Sequence, residues 1–164
     1  MKIAYSGTQG TGKSYSTYEH ALKFKLEHPL KTVIAVSEVA TESPFPINKE
    51  STIDTQLWIF SNQISKELEY KSNYEIVICD RTICDCLAYS IANGFYDLVQ
   101  TMIPLSKYWL STYDQIYVKL MDNNAYNFPD GVRDTDELFR RDVENSLLKL
   151  YDELEYPKNQ LILC

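Results

Sequence analysis

Short apolar runs alternate along this chain with longer stretches of mixed polarity. Five of the runs, residues 2–6, 32–36, 75–80, 115–120 and 161–163, read as strands. Thr32-Val33-Ile34-Ala35-Val36 is apolar throughout rather than at every second position, which suits a parallel strand covered on both faces. Between the runs lie helical signals. Residues 13–27 read as a helix stopped by His28-Pro29. Over 52–70 the apolar residues Ile53, Leu57, Phe60, Ile64 and Leu68 recur every three or four positions, the spacing of an amphipathic helix. Helices over 83–92 and 96–111 are separated by Asn93-Gly94, a further one spans 135–151, and 41–49 is a loop broken by Pro44 and Pro46.

Strands alternating with helices across short loops predict an α/β fold, three layers deep, with a mainly parallel five-stranded sheet and helices on both faces. The whole of 1–164 reads as one domain, without repeat or linker. In such sheets ligands gather at the carboxyl ends of the strands, so the residues just after each strand carry the interest.

Composition narrows the chemistry. A net charge of −7 and a pI near 4.8 repel polyanions, which argues against a nonspecific nucleic-acid binder. Neither an apolar leader core nor a run long enough to span a bilayer is present, and Cys79, Cys84, Cys86 and Cys164 show no paired spacing. Reduced thiols, a cytoplasmic location and no membrane partner are the expectation.

The strongest motif lies between the first strand and the first helix. Gly7-Thr8-Gln9-Gly10-Thr11-Gly12-Lys13-Ser14 matches G-x-x-x-x-G-K-[ST] in full, the phosphate loop of P-loop NTPases. Its glycines let successive backbone N–H groups turn inward onto phosphate oxygens. Lys13 then meets the β- and γ-phosphates of ATP, Ser14 enters the Mg²⁺ shell, and Tyr15 follows on the first helical turn.

Asp80 closes the third strand beside that loop, placed to hold Mg²⁺ directly or through water. Arg81 follows it where a simple ATPase commonly carries a second acid, and an arginine there faces a phosphoryl group in transfer. Glu38, just past the second strand, is placed to accept a proton from a substrate hydroxyl; a solvated loop acid is the plain alternative. Asp85 falls one helical turn from Arg81 and is positioned to orient it or to bind substrate. A lid at about 122–141 brings Arg133 and either Arg140 or Arg141, against the alternative of ordinary helix-surface charges. Phe45, Trp58 and Tyr89 are candidates to stack a base, although aromatics at helical spacing more often pack a core.

Taken together, the phosphate loop, Glu38, Cys79-Asp80-Arg81-Thr82, the Asp85 to Tyr89 spacing and Asp130-Gly131-x-Arg133 resemble P-loop nucleoside and nucleotide kinases. The chain is similar to the AAA-labelled group that includes the nicotinamide riboside kinase domain of the bacterial NAD regulator, and more distantly to thymidylate and deoxynucleoside kinases. The resemblance covers nearly the whole chain. It implies metal and phosphoryl binding by Asp80 and Arg81, acceptor contact by Glu38, and phosphate cover by Arg133 with Arg140. Two departures stand out: Tyr15 where many relatives have Thr, and Asp80 where deoxynucleoside kinases usually have Glu. The Tyr- and Asn-rich chain also has the look of a phage-encoded protein, which makes the expected cytoplasm a host cell's.

The expected activity is an ATP- and Mg²⁺-dependent transfer of the γ-phosphate to a nucleoside, nucleotide or related small hydroxyl acceptor. A P-loop ATPase or switch acting through a protein partner, and a kinase acting on nucleic acid, are the alternatives. A homodimer is left open.

Overall fold

The computed structural model describes residues 1–121 and 136–164. Five strands, β1 (Lys2–Ser6), β2 (Val33–Val36), β3 (Ile76–Asp80), β4 (Gln115–Val118) and β5 (Leu161–Leu163), form one sheet in the order β2-β3-β1-β4-β5. Every neighbouring pair is parallel, so the sheet is wholly rather than mainly parallel. The helices are α1 (Lys13–Glu27), α2 (Ile53–Asn73), α3 (Ile83–Ala92), α4 (Tyr96–Leu110) and α5 (Glu137–Glu153). Two short 3-10 turns, Val39–Glu42 and Asn48–Glu50, punctuate the stretch that the prolines predict as loop.

The pleat sorts the sheet side chains into two layers. Ala4, Val77, Cys79, Ile116 and Val118 face the larger core, packed with Leu87 of α3, Leu110 of α4 and Leu147 and Leu150 of α5. Ile3, Tyr5, Ile76 and Ile78 face the opposite way, onto Ala21 and Phe24 of α1. Both faces are thus covered, as the continuous apolar strands require. The strand order sets β1 between β3 and β4, with Tyr5 level with Asp80 and Ser6 level with Val118. The loop after β1 and the residues after β3 therefore emerge side by side at the carboxyl edge.

One sequence reading needs correction. α2 exists, but only part of its apolar row turns inward: Phe60 is buried and Ile64 packs against the larger core, whereas Ile53, Leu57 and Leu68 are exposed, and the buried row is Gln56, Phe60, Gln63 and Glu67. Those four also recur at helical spacing. Their polar ends meet specific partners, Gln56 with Ser51 and Glu67 with Lys2, which makes burial of that face tolerable. The cysteines are free, with Cys79, Cys84 and Cys86 buried and Cys164 exposed. Burial holds the three inner thiols above their ordinary pKa, so they remain protonated and unreactive.

Candidate active site

β1 hands its chain to the phosphate loop at Gly7, whose φ of 139° is closed to other residues and where a Cβ would lie 2.4 Å from the Lys119 carbonyl oxygen. Gly12 takes the left-handed conformation at the start of α1, with φ 78°. The turn folds Lys13 back over the loop. Its Nζ donates to the Thr8 carbonyl at 2.6 Å and to Thr11 Oγ1 at 3.4 Å, and the side chain is buried. Burial, reinforced by the charge of Arg81, lowers the Lys13 pKa to about 8, against the opposing pull of Glu38, Asp80 and Asp85. The Tyr15 side chain points outward and donates to Glu19, leaving its main chain as its contribution to the loop.

β3 delivers Asp80 and Arg81 next to this turn. Asp80 is almost fully buried, and its Oδ1 has no hydrogen-bond partner among the described residues. Burial first, then the charge of Glu38, raises the Asp80 pKa, while Lys13, the Ser14 hydroxyl and Arg81 draw it back. Arg81 adopts φ 87°, a left-handed conformation rare for a side chain of its size. Its N–H reaches the Tyr5 carbonyl at 2.8 Å, which anchors the turn. Each guanidinium nitrogen has a partner: Nε donates to Glu38 Oε1 at 2.5 Å, one terminal nitrogen to the Gly7 carbonyl at 3.1 Å and to Asp85 Oδ1 at 3.3 Å, the other to the Tyr89 hydroxyl at 3.4 Å. Burial disfavours the charge, but Glu38, Tyr89, Asp85 and Asp80 together outweigh it, and the Arg81 pKa lies well above the ordinary value.

Asp85 organises the corner. It accepts from Ser6 Oγ at 2.8 Å, from the Gly7 N–H at 3.0 Å, and from both the N–H and hydroxyl of Thr82 at 2.7 and 2.9 Å. Thr82 and Asp85 form a reciprocal capping box that starts α3. A single carboxylate thereby ties the phosphate loop, the Arg81 turn and α3 together. Tyr89, one turn further along α3, holds the Gln9 side chain and receives the Gln9 N–H.

From α5, Arg140 reaches the same loop: it is buried, Nε donates to the Gln9 carbonyl at 3.1 Å, and one terminal nitrogen has no partner among the described residues. Arg141 is exposed and pairs with Glu137 within its own helix. Of the two arginines, Arg140 is the one that lies beside the loop. Arg133, and the predicted lid as far as residue 135, lie outside the described residues.

A narrow cleft opens beside this corner, lined among others by Glu38, Gln56, Gln63, Arg81, Cys86 and Tyr89. Of the three aromatic candidates, Tyr89 alone lines it. Gln63 donates to the Arg81 carbonyl at 3.4 Å and to Glu67 at 2.7 Å, and Gln56 donates to Ser51, so both amides are held in fixed orientations. The fold gathers Lys13, Glu38, Asp80, Arg81 and Arg140 around one loop. Sequence reasoning missed Ser6, Gln56, Gln63 and the multiple bonds of Asp85. For Asp85 a signal was present, since Thr82-Ile83-Cys84-Asp85 ahead of an apolar helix has the spacing of a capping box.

A parallel sheet with a glycine loop after its central strand and an Asp-Arg corner beside it sets the phosphate-loop motif in the strand–loop–helix context that the motif requires. The chain belongs to the AAA domain family, whose model matches residues 2–162. No curated protein sequence matches it at a significant level. Among solved structures it is similar to the NadR protein in complex with NR (TM-score 0.67, 15% identity), covering 99% of this chain and 42% of NadR, so it spans about two fifths of that protein. It is also similar to deoxyadenosine kinase from M. mycoides with bound dATP (TM-score 0.59, 19% identity, 100% of this chain and 90% of that one). Thymidylate kinase from Ehrlichia chaffeensis matches with TM-score 0.57 and 16% identity, over 100% of this chain and 91% of that one. The fold is that of P-loop nucleoside and nucleotide kinases. No helix among the described residues is long and apolar enough to cross a membrane.

Proposed function

We propose that this protein is a phosphotransferase that moves the γ-phosphate of ATP, with Mg²⁺, to a hydroxyl of a nucleoside, nucleotide or related small acceptor seated in the cleft. The observation that carries this reading is the Glu38–Arg81 pair. Both residues line the cleft, while the Arg81 guanidinium also reaches the Gly7 carbonyl of the phosphate loop, so one ion pair spans acceptor pocket and donor loop. An ATPase has no need of such a pocket at that point.

On this reading residues 7–15 wrap the triphosphate through their N–H groups, and Lys13 leaves the Thr8 carbonyl for the β- and γ-phosphates. Glu38 takes the proton of the acceptor hydroxyl as its oxygen bonds to the γ-phosphorus and the bridge to the β-phosphate breaks, releasing ADP. Arg81 and Arg140 meet the charge that spreads over the transferring group. Asp80 and Ser14 suit Mg²⁺: Oδ1 is a buried carboxylate oxygen lacking a partner among the described residues. When bound, that ion supplies neutralising charge at the β- and γ-oxygens. The complex of NadR with NR and that of deoxyadenosine kinase with dATP support a site for nucleoside or nucleotide ligands.

The test is ADP release from Mg-ATP by the pure protein, alone and with a panel of nucleosides, deoxynucleoside monophosphates, nicotinamide riboside and short DNA, with Lys13→Ala as control. Stimulation by one small acceptor, lost in the variant, is the expected result. Turnover that ignores every acceptor overturns the proposal in favour of an ATPase acting through a partner; stimulation by DNA alone assigns a nucleic-acid kinase.

A second expected result concerns protons. Lys13 has a folded pKa of about 8, below its ordinary 10.5, so in the free protein its proton is largely lost as the pH rises through 8. Phosphates favour the charged form, and binding then draws a proton onto Lys13. Calorimetry of ADP binding at pH 8.5 in two buffers of different ionisation enthalpy should show net proton uptake that vanishes in Lys13→Ala. Uptake unchanged in the variant would show that another group titrates.

A further inference from the structure

Gly7, Gly10 and Gly12 leave the phosphate loop with little backbone preference of its own, so its shape has to be fixed by its neighbours. Asp85 and Lys13 supply part of that support. Much of the rest converges on Gln9, which is buried between the first two glycines. The Gln9 N–H donates to the Tyr89 hydroxyl at 3.2 Å. Its side-chain oxygen accepts from that same hydroxyl and, at 2.8 Å, from Thr8 Oγ1. Its carbonyl accepts from Arg140 Nε at 3.1 Å. α3 and α5 thus grip one loop residue from two sides.

Tyr89 also lines the cleft, where an aromatic ring is the expected surface for stacking a base. Its bonds point to a different task. The hydroxyl gives its one proton to Gln9 and receives N–H groups from Gln9 and, at 3.4 Å, from Arg81, so its donor and both its lone pairs are in use. The ring is committed as well. The Arg81 guanidinium lies 5.1 Å from its centre, and Phe139, the neighbour of Arg140 on α5, meets it at a steep angle with centroids 6.0 Å apart. Only 8% of the residue is exposed, so little of it is left for a ligand.

We infer that Tyr89 is a positioning residue for the nucleotide: through Gln9 its hydroxyl holds the phosphate loop in shape, and it serves the donor side of the site although it lines the acceptor cleft. The inference rests on the proposed nucleotide binding by the loop and is independent of the acceptor's identity.

Tyr89→Phe keeps the ring and removes the hydroxyl. Titration of the whole chain with a fluorescent ADP analogue, with no acceptor present, should show binding weakened about tenfold, the scale on which a buried N–H stripped of its partner acts. Gln9→Ala should weaken binding in the same direction, and the double variant should lose less than the two losses combined, because both act through one contact. In turnover, KM for ATP should rise by a larger factor than kcat falls, since Arg81 keeps Glu38, the Gly7 carbonyl and Asp85. Without any ligand, the Gln9 amide should exchange its hydrogen with solvent faster in Tyr89→Phe than in the wild type. An unchanged ADP affinity in Tyr89→Phe overturns the inference, as do fully independent losses in the double variant. Unchanged ADP binding in Tyr89→Leu with a raised acceptor KM would assign Tyr89 to stacking instead. A wild-type protein that does not bind the analogue overturns nucleotide binding by the loop and this inference with it, whereas binding without acceptor-dependent turnover overturns phosphoryl transfer alone.

Discussion

Arg81→Ala is expected to lower acceptor-dependent turnover by about 10³-fold or more, the scale on which an arginine meeting a transferring phosphoryl group acts. Arg81→Lys should rescue little of it. The guanidinium serves four acceptors at once, Glu38, the Gly7 carbonyl, Asp85 and the Tyr89 hydroxyl, and its planar fork spreads across them in directions that a lysine ammonium on a flexible stem does not match. The loss should appear in kcat. Binding of a fluorescent ADP analogue reports separately on the loop, because Asp85 continues to hold the Gly7 N–H and Ser6 when Arg81 is gone. Activity of either variant within tenfold of the wild type would exclude Arg81 from phosphoryl transfer. Loss of ADP binding in step with turnover would instead make it a support of the loop.

The phosphate loop was legible because its constraints are local. Three glycines, a lysine and a serine at fixed spacing describe one backbone turn, and the apolar runs on either side name the strand and helix that hold it. Asp80 was legible for a related reason, as the acid that ends a buried strand. Arg81 was found as a residue but not as a conformation: its φ of 87° depends on the bond of its N–H to Tyr5 in a neighbouring strand, a contact between residues far apart in sequence. The strand order carries no sequence signal of its own. α2 was read correctly as a helix, with Phe60 and Ile64 on the core as expected, but its inward face was only partly read, because spacing alone identifies which residues share a helix face, and two faces of that helix are regularly spaced. The face that turns inward is the one whose polar ends find partners on β1, on the Arg81 turn and near the cleft, and those partners are set by topology. The same limit hid Gln56 and Gln63, two amides with no motif to mark them.

The largest stability effect should come from that inward face. Lys2 and Glu67 form a 2.7 Å ion pair with side-chain exposures of 5% and 0%, and Glu67 further accepts from Trp109 Nε1 at 2.9 Å, Tyr113 OH at 2.5 Å and Gln63 Nε2 at 2.7 Å. The Lys2 ammonium also lies 3.9 Å from the Tyr113 ring centre and 4.7 Å from that of Trp109. Taking both charges out of water is costly, so the pair as a whole contributes little net stability. Removing one partner is a different matter, since it strands the other in a site built to exclude water. Lys2→Met and Glu67→Gln are each expected to destabilise the fold by about 3–5 kcal/mol, read as a lower urea midpoint at unchanged slope. The double variant should lose less than the sum of the two, because neither charge is then left alone. Strictly additive losses, or a single variant costing under about 1 kcal/mol, would mean that water reaches the pair and screens it. Glu67→Gln has a further consequence. Gln63 donates both to Glu67 and to the Arg81 carbonyl, so the anchor of one cleft wall weakens together with the core. Acceptor KM should therefore rise in Glu67→Gln at temperatures where the fold is intact, while Lys2→Met, which leaves the Gln63 bond to Glu67 in place, should move KM less.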